Sequence, residues 1–222
     1  MIEIKSNERL DDLQFNNLQI IQEIDGYCFT SDSIALANYV KVMRGEVLID
    51  LCSGSGVIGI LAHYKSRFKK TYLVELQENL ADMSRRTLEY NKITDIEVIN
   101  SPLQGISQKL GTGKADCVVC NPPYKKCGTA TKLNENQSIA IAKHELTVTL
   151  EEIVKEASRL LKFGGVFYTI NKEERLADLI VNLRKYGIEP KELKIRRSDK
   201  GANIIMLKAK KGGKSGMTIS LV

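Results

Sequence analysis

The stretch DLCSGSGVIG, residues 50–59, determines which fold the chain can adopt. It begins inside an apolar run, VLIDL at 47–51, and leads into a second apolar segment. Within it, Gly54, Gly56 and Gly59 are spaced as G-x-G-x-x-G. Glycines at this spacing let the backbone turn tightly from a strand into a helix and approach a ligand closely. The stretch therefore predicts a strand, a loop and a helix, with a ligand at the end of the strand.

On both sides of this unit the sequence alternates between strands and helices. Short, almost wholly apolar runs separated by helices are typical of parallel strands covered on both faces. We therefore predict a single-domain α/β fold with a doubly wound, mostly parallel, Rossmann-like sheet. The last two predicted strands have no helix between them, so we expect an antiparallel last strand. The seven predicted strands are 47–51, 71–75, 95–99, 115–120, 166–170, 193–197 and 203–209.

The beginning of the chain carries a different pattern. Residues 12–22 alternate apolar and polar side chains around an Asn-Asn pair, which predicts a short hairpin. Thr30 and the two residues after it offer N-cap side chains to a helix that reaches about Met43. We expect residues 1–45 to pack on the core formed by 46–222, giving one compact unit.

Composition and charge exclude several classes of protein. Hydrophobic residues make up 43% and charged residues 27%, as in ordinary globular domains. No apolar run approaches the roughly 18 residues that span a bilayer, and the N-terminus is too polar for a signal peptide. Five cysteines, an odd number, favour free thiols in a reducing compartment. We therefore expect a cytoplasmic protein that does not enter membranes, with a monomer favoured.

The spacing of one pair of cysteines raises the question of a metal site. Cys117 and Cys120 form C-x-x-C, but a zinc site normally adds a second pair or suitably spaced histidines. The two histidines, His63 and His144, are isolated in the sequence. Residues three apart on a strand also point to opposite faces. We therefore expect no metal, and we interpret Cys120 as core packing.

The basic side chains are concentrated at the end of the chain. Residues 191–222 carry nine basic and two acidic side chains, a net +7, whereas the whole chain carries +6. A local basic surface favours a polyanionic partner such as nucleic acid, although a solubilising tail would look the same.

A carboxylate follows the glycine loop at the position that a cofactor requires. Glu75 ends the next predicted strand, 21 residues after Gly54. A carboxylate at that place can accept hydrogen bonds from both hydroxyls of a ribose. NAD and S-adenosylmethionine both fit this pattern.

A second motif decides between the two cofactors. Asn121, Pro122, Pro123 and Tyr124 directly follow the fourth predicted strand. The amino nitrogen of adenine is a poor nucleophile because its lone pair is delocalised into the ring. The side-chain oxygen of Asn121 and the carbonyl of Pro122 can hold its two N–H groups and aim the nitrogen at a sulfonium methyl. Tyr124 offers a face on which the base can stack. We therefore predict S-adenosylmethionine as cofactor and an amino nitrogen as the methyl acceptor.

Further stretches match one family over nearly the whole chain. Together with the two motifs, residues 9–22, 26–40, 142–148 and 200–217 resemble the bacterial tRNA1(Val) (adenine-37-N6)-methyltransferase family, whose members are class I methyltransferases. The resemblance implies methylation of an adenine beside the anticodon of a tRNA. Against that family the sequence ends early, at Val222, which predicts a missing tail.

The resemblance also implies roles for individual residues. The adenine-binding carboxylate usual after the third strand is absent, so an amide or hydroxyl must replace it. The implied cofactor-binding residues are Thr30, Asp32, Asp50, Cys52, Ser53, Gly54, Gly56, Glu75, Leu76, Asn100, Ser101, Leu103 and Asn121. The implied RNA-binding residues are Lys125, Lys126, Arg196, Arg197, Lys200, Lys208, Lys210, Lys211 and Lys214. The polar segment 125–143 is expected to form a mobile lid over the base. His144 either contacts phosphate or substrate or caps the start of a helix, and we favour the cap.

Two other functions compete with this one. Protein-glutamine methyltransferases also use N-P-P-Y, but they carry a helical domain ahead of the cofactor domain, whereas only 49 residues precede Asp50 here. A non-catalytic RNA-binding module would have no need for Asn121 and Tyr124.

Overall fold

A computed structural model describes residues 2–26, 28–42, 46–122, 148–197 and 203–222. The strands in these ranges are β1 (Glu8–Asp12), β2 (Gln19–Glu23), β3 (Val47–Leu51), β4 (Lys70–Glu75), β5 (Ile96–Asn100), β6 (Ala115–Cys120), β7 (Leu161–Lys172), β8 (Ile188–Arg196), β9 (Ile204–Lys211) and β10 (Thr218–Leu221). The helices are α1 (Ser31–Tyr39), α2 (Val57–Ser66), α3 (Glu78–Tyr90), α4 (Ile106–Leu110), α5 (Leu150–Leu160) and α6 (Leu176–Lys185), with a 3-10 turn at Glu173–Arg175.

The central sheet confirms the predicted α/β fold. Its eight strands lie in the order β10-β8-β9-β7-β6-β3-β4-β5, and the order reverses at β3, where the chain crosses to the other half of the sheet. Strand β9 runs antiparallel to both β7 and β8, as the absence of a helix before it predicted, and the other described pairings in this sheet are parallel.

The predicted count of seven strands is wrong by one. Residues 218–221 form β10, which pairs parallel with β8 at the edge of the sheet. All four of its side chains are exposed. A four-residue strand that buries neither face lacks the apolar pattern by which strands are recognised in a sequence.

Helices cover both faces of the sheet and bury two cores. One core lies under α1 and α2 and contains Leu36, Leu61 and Tyr168. The other lies under α4, α5 and α6 and contains Ile153, Phe167 and similar residues. Cys117 belongs to the first core and Cys120 to the second, as expected for residues three apart on a strand. Both thiols are free.

The predicted N-terminal hairpin is present and packs on α3. Asn16 and Asn17 between its strands have φ values of 52° and 56°, which asparagine adopts more readily than most residues. Arg86 of α3 holds the hairpin by donating to both carboxylate oxygens of Glu8 at 2.7 and 2.5 Å. The backbone N–H of Ile21 also donates to Thr87 Oγ1 at 3.0 Å. The hairpin is thereby bound to the helix that follows β4, the strand that ends at Glu75.

Two predicted boundaries are wrong. Helix α1 ends at Tyr39 rather than near Met43. Helix α5 ends at Leu160, and β7 begins with the next residue, so Gly164 and Gly165 lie inside a strand instead of ending the helix. The pairing of β6 with β7 shifts register between Ala115 and Cys117, so a local irregularity accommodates the glycines.

Neither a membrane-spanning helix nor a metal site is found in the described ranges. No helix there is both long and apolar enough to cross a bilayer. The same residues contain no group of three or more His, Cys, Asp or Glu side chains arranged to hold an ion.

Candidate active site

Parallel pairing brings the predicted site residues to one edge of the sheet. Leu51 at the end of β3 pairs with Val74 of β4 and with Cys120 of β6. Glu75 at the end of β4 pairs in turn with Asn100 of β5. The carboxyl ends of these strands therefore lie side by side, and the loops that follow them meet at the topological switch point, where open α/β sheets bind their ligands in a crevice.

The glycine loop turns at this edge as its spacing predicts. Gly54 and Gly56 have φ values of 56° and 83°, in the left-handed region, and Cys52 adopts 57° without being glycine. A Cβ on Gly59 would lie 2.2 Å from Leu73 Cδ2, so α2 packs directly against the sheet. The loop is thereby fixed between β3 and the first turn of α2.

Asp50 is a fully buried carboxylate with one oxygen committed. The backbone N–H of Gly59 donates to Oδ2 at 2.8 Å. Oδ1 has no hydrogen-bond partner among the residues that the structure describes. Burial raises the pKa of Asp50 to about 8, the charge of Glu75 adds to the rise, and the N–H of Gly59 opposes it. A cationic donor at Oδ1 would satisfy that oxygen and favour the ionised form.

Unsatisfied polar atoms cluster around Asp50. Six buried side-chain atoms lack a hydrogen-bond partner within the described residues. Four of the six lie at or shortly after the carboxyl ends of β3 and β6: Asp50 Oδ1, Ser53 Oγ, Ser55 Oγ and Asn121 Oδ1. Buried polar atoms in folded proteins are nearly always hydrogen-bonded, so this cluster indicates a polar ligand in the crevice.

Glu75 closes the loop from the neighbouring strand. It is 1% exposed and accepts from the backbone N–H of Gly54 at Oε2 and from that of Gln77 at Oε1, both at 2.8 Å. These two bonds fix the carboxylate against the loops that follow β3 and β4. The carboxylate thus holds the glycine loop in place at the carboxyl end of β4.

The end of β5 supplies an amide where a carboxylate is usual. Asn100 Nδ2 donates to the carbonyls of Glu75 and Leu76, at 3.1 and 3.0 Å, and so braces the loop after β4. Its Nδ2 group is thereby committed to two backbone carbonyls. Ser101 is partly exposed beside it, and Leu103 is 4% exposed in the neighbouring core.

Asn121 lies next to the glycine loop, at the end of β6. Its Oδ1 atom is buried and has no partner among the described residues, while Nδ2 approaches Ser33 Oγ of α1 at 3.4 Å. Pro122 is buried behind it. Burial raises the pKa of the preceding Cys120 thiol well above its ordinary value, which keeps it protonated and agrees with a packing role. The predicted Pro123, Tyr124, Lys125, Lys126 and His144, and the predicted lid 125–143, lie outside the described residues.

The start of α1 lies at the same edge. Thr30 occupies the N-cap position but makes no capping bond with its side chain. Asp32 Oδ1 lies 3.8 Å from Arg196 Nη1 at the end of β8. A predicted cofactor residue and a predicted RNA residue are thereby neighbours. Ser33 was not predicted, because the sequence indicated only a helix start and its contact with Asn121 joins residues 88 positions apart.

The predicted basic surface is divided between opposite edges of the sheet. Arg196 and Arg197 lie at the carboxyl edge, beside the crevice, whereas the antiparallel β9 carries Lys210 to the amino edge. Lys214 is exposed near that second edge, and Lys208 lies between the two with its ammonium 5.7 Å from the ring centre of Tyr168.

Lys211 and Lys200 differ from the other predicted RNA-binding residues. Lys211 Nζ donates to the carbonyls of Ser158 and Leu161, at 2.5 and 2.9 Å, and so caps the end of α5. Its ammonium is committed inside the fold, and we leave it out of the proposed RNA surface. Lys200 lies outside the described residues.

Relatives carry the names that the sequence resemblance predicts. The tRNA1(Val) (adenine(37)-N6)-methyltransferase of Shewanella frigidimarina is 24% identical over 179 residues, covering 78% of this chain and 70% of the relative. For a second Shewanella protein of the same name, strain W3-18-1, the identity is 23% and the coverage is 64% of this chain and 58% of the relative. The chain thus spans about three fifths to seven tenths of the length of these relatives.

Solved structures share the fold. A predicted O-methyltransferase from Agrobacterium tumefaciens superposes with a TM-score of 0.64 at 21% identity, covering 86% of this chain and 85% of that one. The TYW2 protein of M. jannaschii, solved in complex with AdoMet, gives 0.62 at 15% identity, covering 95% and 88%. The first is named as a methyltransferase, and the second contains AdoMet, which is S-adenosylmethionine.

A family profile spans most of the chain. The family described as the methyltransferase small domain matches residues 30–184, which include the glycine loop, Glu75 and Asn121. Together with the fold and the crevice, this match confirms the prediction of an S-adenosylmethionine-dependent methyltransferase: the chain belongs to the methyltransferase small domain family.

Proposed function

We propose that this protein transfers the methyl group of S-adenosylmethionine to the N6 amino group of an adenine in tRNA. The observation that carries the proposal is Asn121 Oδ1, a buried acceptor without a partner among the described residues; it follows β6, the strand that pairs with β3, where Asp50 Oδ1 is equally unsatisfied. One acceptor suits an NH₂ group of the substrate and the other suits the ammonium group of the cofactor. From the names of its relatives we propose adenine 37 of tRNA1(Val) as the target.

The cofactor fits the residues at the carboxyl edge. Asp50 Oδ1 would accept from its ammonium group and Glu75 from its ribose hydroxyls. Asn100 Oδ1 would accept from the amine of its adenine ring, between Leu76 and Leu103. When bound, the cofactor supplies an electrophilic methyl group on a sulfonium.

The remaining work of the chain is positioning. Asn121 Oδ1 and the carbonyl of Pro122 would accept one N–H each from the target amine. These bonds place the nitrogen lone pair in line with the methyl carbon, and well-oriented approach of this kind contributes much of a catalysed rate. In that geometry the nitrogen would take the methyl group from the sulfonium, whose sulfur would keep the electrons of the broken bond, and the nitrogen would release one proton to water. No protein nucleophile is required, which agrees with the protonated, buried Cys120.

The RNA would approach from the carboxyl edge. Arg196 is half-buried and Arg197 is exposed there, close to α1. Guanidinium groups at this position can bind phosphates on both sides of a base that has left its stack and entered the crevice. Lys208 pairs with Glu192 of β8 and therefore lies on the same face of the sheet as Glu192. Glu192 and Arg196 are an even number of positions apart on β8, so Lys208 and Arg196 also share that face.

A substrate panel tests this function. Purified protein is incubated with labelled S-adenosylmethionine and with unmodified tRNA, single-stranded DNA or a glutamine-containing peptide. The product is digested and its nucleosides are separated. We expect label in N6-methyladenosine from tRNA alone. Label in the peptide would instead identify a protein-glutamine methyltransferase, and absence of transfer with intact cofactor and RNA binding would identify a binding module.

A further inference from the structure

The side chain of Asn121 can work in only one of its two orientations. Its amide carries an oxygen and an NH₂ group that occupy nearly the same volume. The target amine has two hydrogens to donate, so Oδ1 must face it. Were the amide turned by half a rotation, Nδ2 would face the substrate and two donors would oppose each other.

One contact in the structure distinguishes the two orientations. Ser33 Oγ lies 3.4 Å from Asn121 Nδ2 and accepts from it. This leaves Oδ1 on the other side of the amide, buried and unsatisfied. In the turned orientation the Nδ2 group, which has two hydrogens to donate, would instead take the buried place without a partner.

Ser33 is held in a fixed place by the helix that carries it. It is 1% exposed, and Leu36 and Ala37 of the same helix are fully buried in the core. Tyr39 packs edge-on against Tyr168, with ring centres 5.2 Å apart and planes at 88°. The acceptor therefore belongs to a rigid element, although its residue comes from the region before the glycine loop.

We propose that Ser33 is the positioning residue that orients the amide of Asn121 towards the methyl acceptor. The inference rests on the proposed function, because it assigns Asn121 Oδ1 to the target amine. Ser33 touches neither substrate nor cofactor in this account. It acts on the rate by keeping Nδ2 away from the substrate.

Ser33→Ala tests the proposal. Alanine has a higher helix propensity than serine, so the variant is expected to fold. A single neutral hydrogen bond is worth a factor of about 3 to 10, so we expect kcat to fall by that factor. The Kd for S-adenosylmethionine and the KM for tRNA should stay within twofold of the original values. Ser33→Thr, which keeps the hydroxyl, should recover most of the lost rate.

A matched control removes a different buried hydroxyl. Ser107 is 0% exposed, lies in α4, and its Oγ has no partner within the described ranges. Ser107→Ala makes the same chemical change at equal burial and should leave kcat unaltered. Melting temperatures of all variants show whether each change acts on the fold.

The outcomes separate this inference from the function on which it rests. A Ser33→Ala protein with a kcat within twofold of the original would overturn the positioning role, provided that Asn121→Ala is inactive. An active Asn121→Ala protein would instead overturn the proposed function itself. A rate loss in Ser33→Ala that Ser33→Thr repeats at an unchanged melting temperature would also count against the role of the hydroxyl.

Discussion

The two edges of the central sheet differ in how their polar groups are paired. At the amino edge, Asp116 accepts from the backbone N–H of Val47 at 2.9 Å and from Lys162 Nζ at 2.8 Å. His63, which is 2% exposed, lies between Thr71 and Asp95 at 2.8 and 2.9 Å. At the carboxyl edge, four buried oxygens have no partner among the described residues.

The unsatisfied groups indicate that a ligand binds at the carboxyl edge. Polar groups that hydrogen-bond to each other stabilise the fold, because each has a partner when it leaves water. Polar groups that remain unsatisfied weaken the fold unless a ligand completes them. The amino edge is therefore expected to control stability, and the carboxyl edge to control binding and catalysis.

The largest expected effect is on catalysis, from Asn121→Ala. Removal of one preorganised hydrogen-bonding group in an active site lowers kcat by about 10²- to 10³-fold. The acceptor is not assigned to the cofactor ammonium or ribose, so the Kd for S-adenosylmethionine should change little. Single-turnover methylation of tRNA gives the first quantity and calorimetry the second. A kcat within tenfold of the original would contradict the assignment of catalysis to the carboxyl edge.

Asp50→Asn is expected to have the next largest effect. The change removes the charge that pairs with the cofactor ammonium, and a hydrogen bond to a charged group is worth about 1.5–3 kcal/mol. The Kd for S-adenosylmethionine should therefore rise by about 10- to 100-fold. The melting temperature of the free protein should change little at pH 7, since a carboxyl with a pKa of about 8 is already mostly neutral there. Calorimetry and thermal unfolding measure both, and a lower melting temperature with unchanged Kd would reverse the assignment of this edge.

Asp116→Asn is the matched change at the amino edge, and it should give the opposite result. Hydrogen bonds and the contact with Lys162 hold the pKa of Asp116 below its ordinary value, against the rise that burial alone would cause. Loss of the charge leaves Lys162 without its partner and weakens two backbone bonds, so we expect about 1–3 kcal/mol of destabilisation. Chemical denaturation measures the loss. The Kd for S-adenosylmethionine should be unaffected.

The raised pKa of Asp50 predicts a pH dependence of binding. With a pKa of about 8 in the free protein, the carboxyl is protonated at pH 6, while a cofactor ammonium requires the ionised form. Binding must therefore release a proton, and affinity should rise by up to tenfold for each pH unit between about 6 and 7.5, below the pKa of the α-amino group at about 7.7–8.0. Calorimetry in two buffers of different ionisation enthalpy counts the released proton. Release that persists in Asp50→Asn would assign the proton to another group.

The smallest expected effect concerns the divided basic surface. Neutralising Arg196 and Arg197 should lower tRNA affinity and reduce the slope of log K against log salt by about 1.4–1.8, if each contacts one phosphate. Neutralising Lys210 and Lys214 removes the same charge at the other edge and should leave the slope unchanged. Filter binding over a range of salt concentrations compares the two. Equal effects of the two pairs would mean that RNA uses both edges.

Much of the carboxyl edge could be predicted because its signals are local in sequence. The glycine spacing of 54, 56 and 59, the apolar strand before it and Glu75 at the next strand end together specify one turn and its ligand. Asn121 could be assigned to the same edge as that turn because parallel strands end at a common edge. The Asn-Asn hairpin was likewise predictable from the φ values that asparagine tolerates.

The parts that could not be predicted depend on distant contacts. Lys211 looked like any basic surface residue, and only the fold shows that it caps α5. The basic residues form one cluster in the sequence, yet the reversal of direction in β9 carries them to two edges. Ser33 lacked a signal because its contact joins residues 88 positions apart in the sequence, and β10 lacked one because it buries no face.

The central claim is that the unsatisfied oxygens of the carboxyl edge form the cofactor site. A crystal structure with S-adenosylhomocysteine tests it most directly. We expect its ammonium within hydrogen-bond distance of Asp50 Oδ1, its ribose hydroxyls on Glu75, and its sulfur facing Asn121. Electron density for the product at another place, with Asp50 Oδ1 satisfied by the chain itself, would contradict the account.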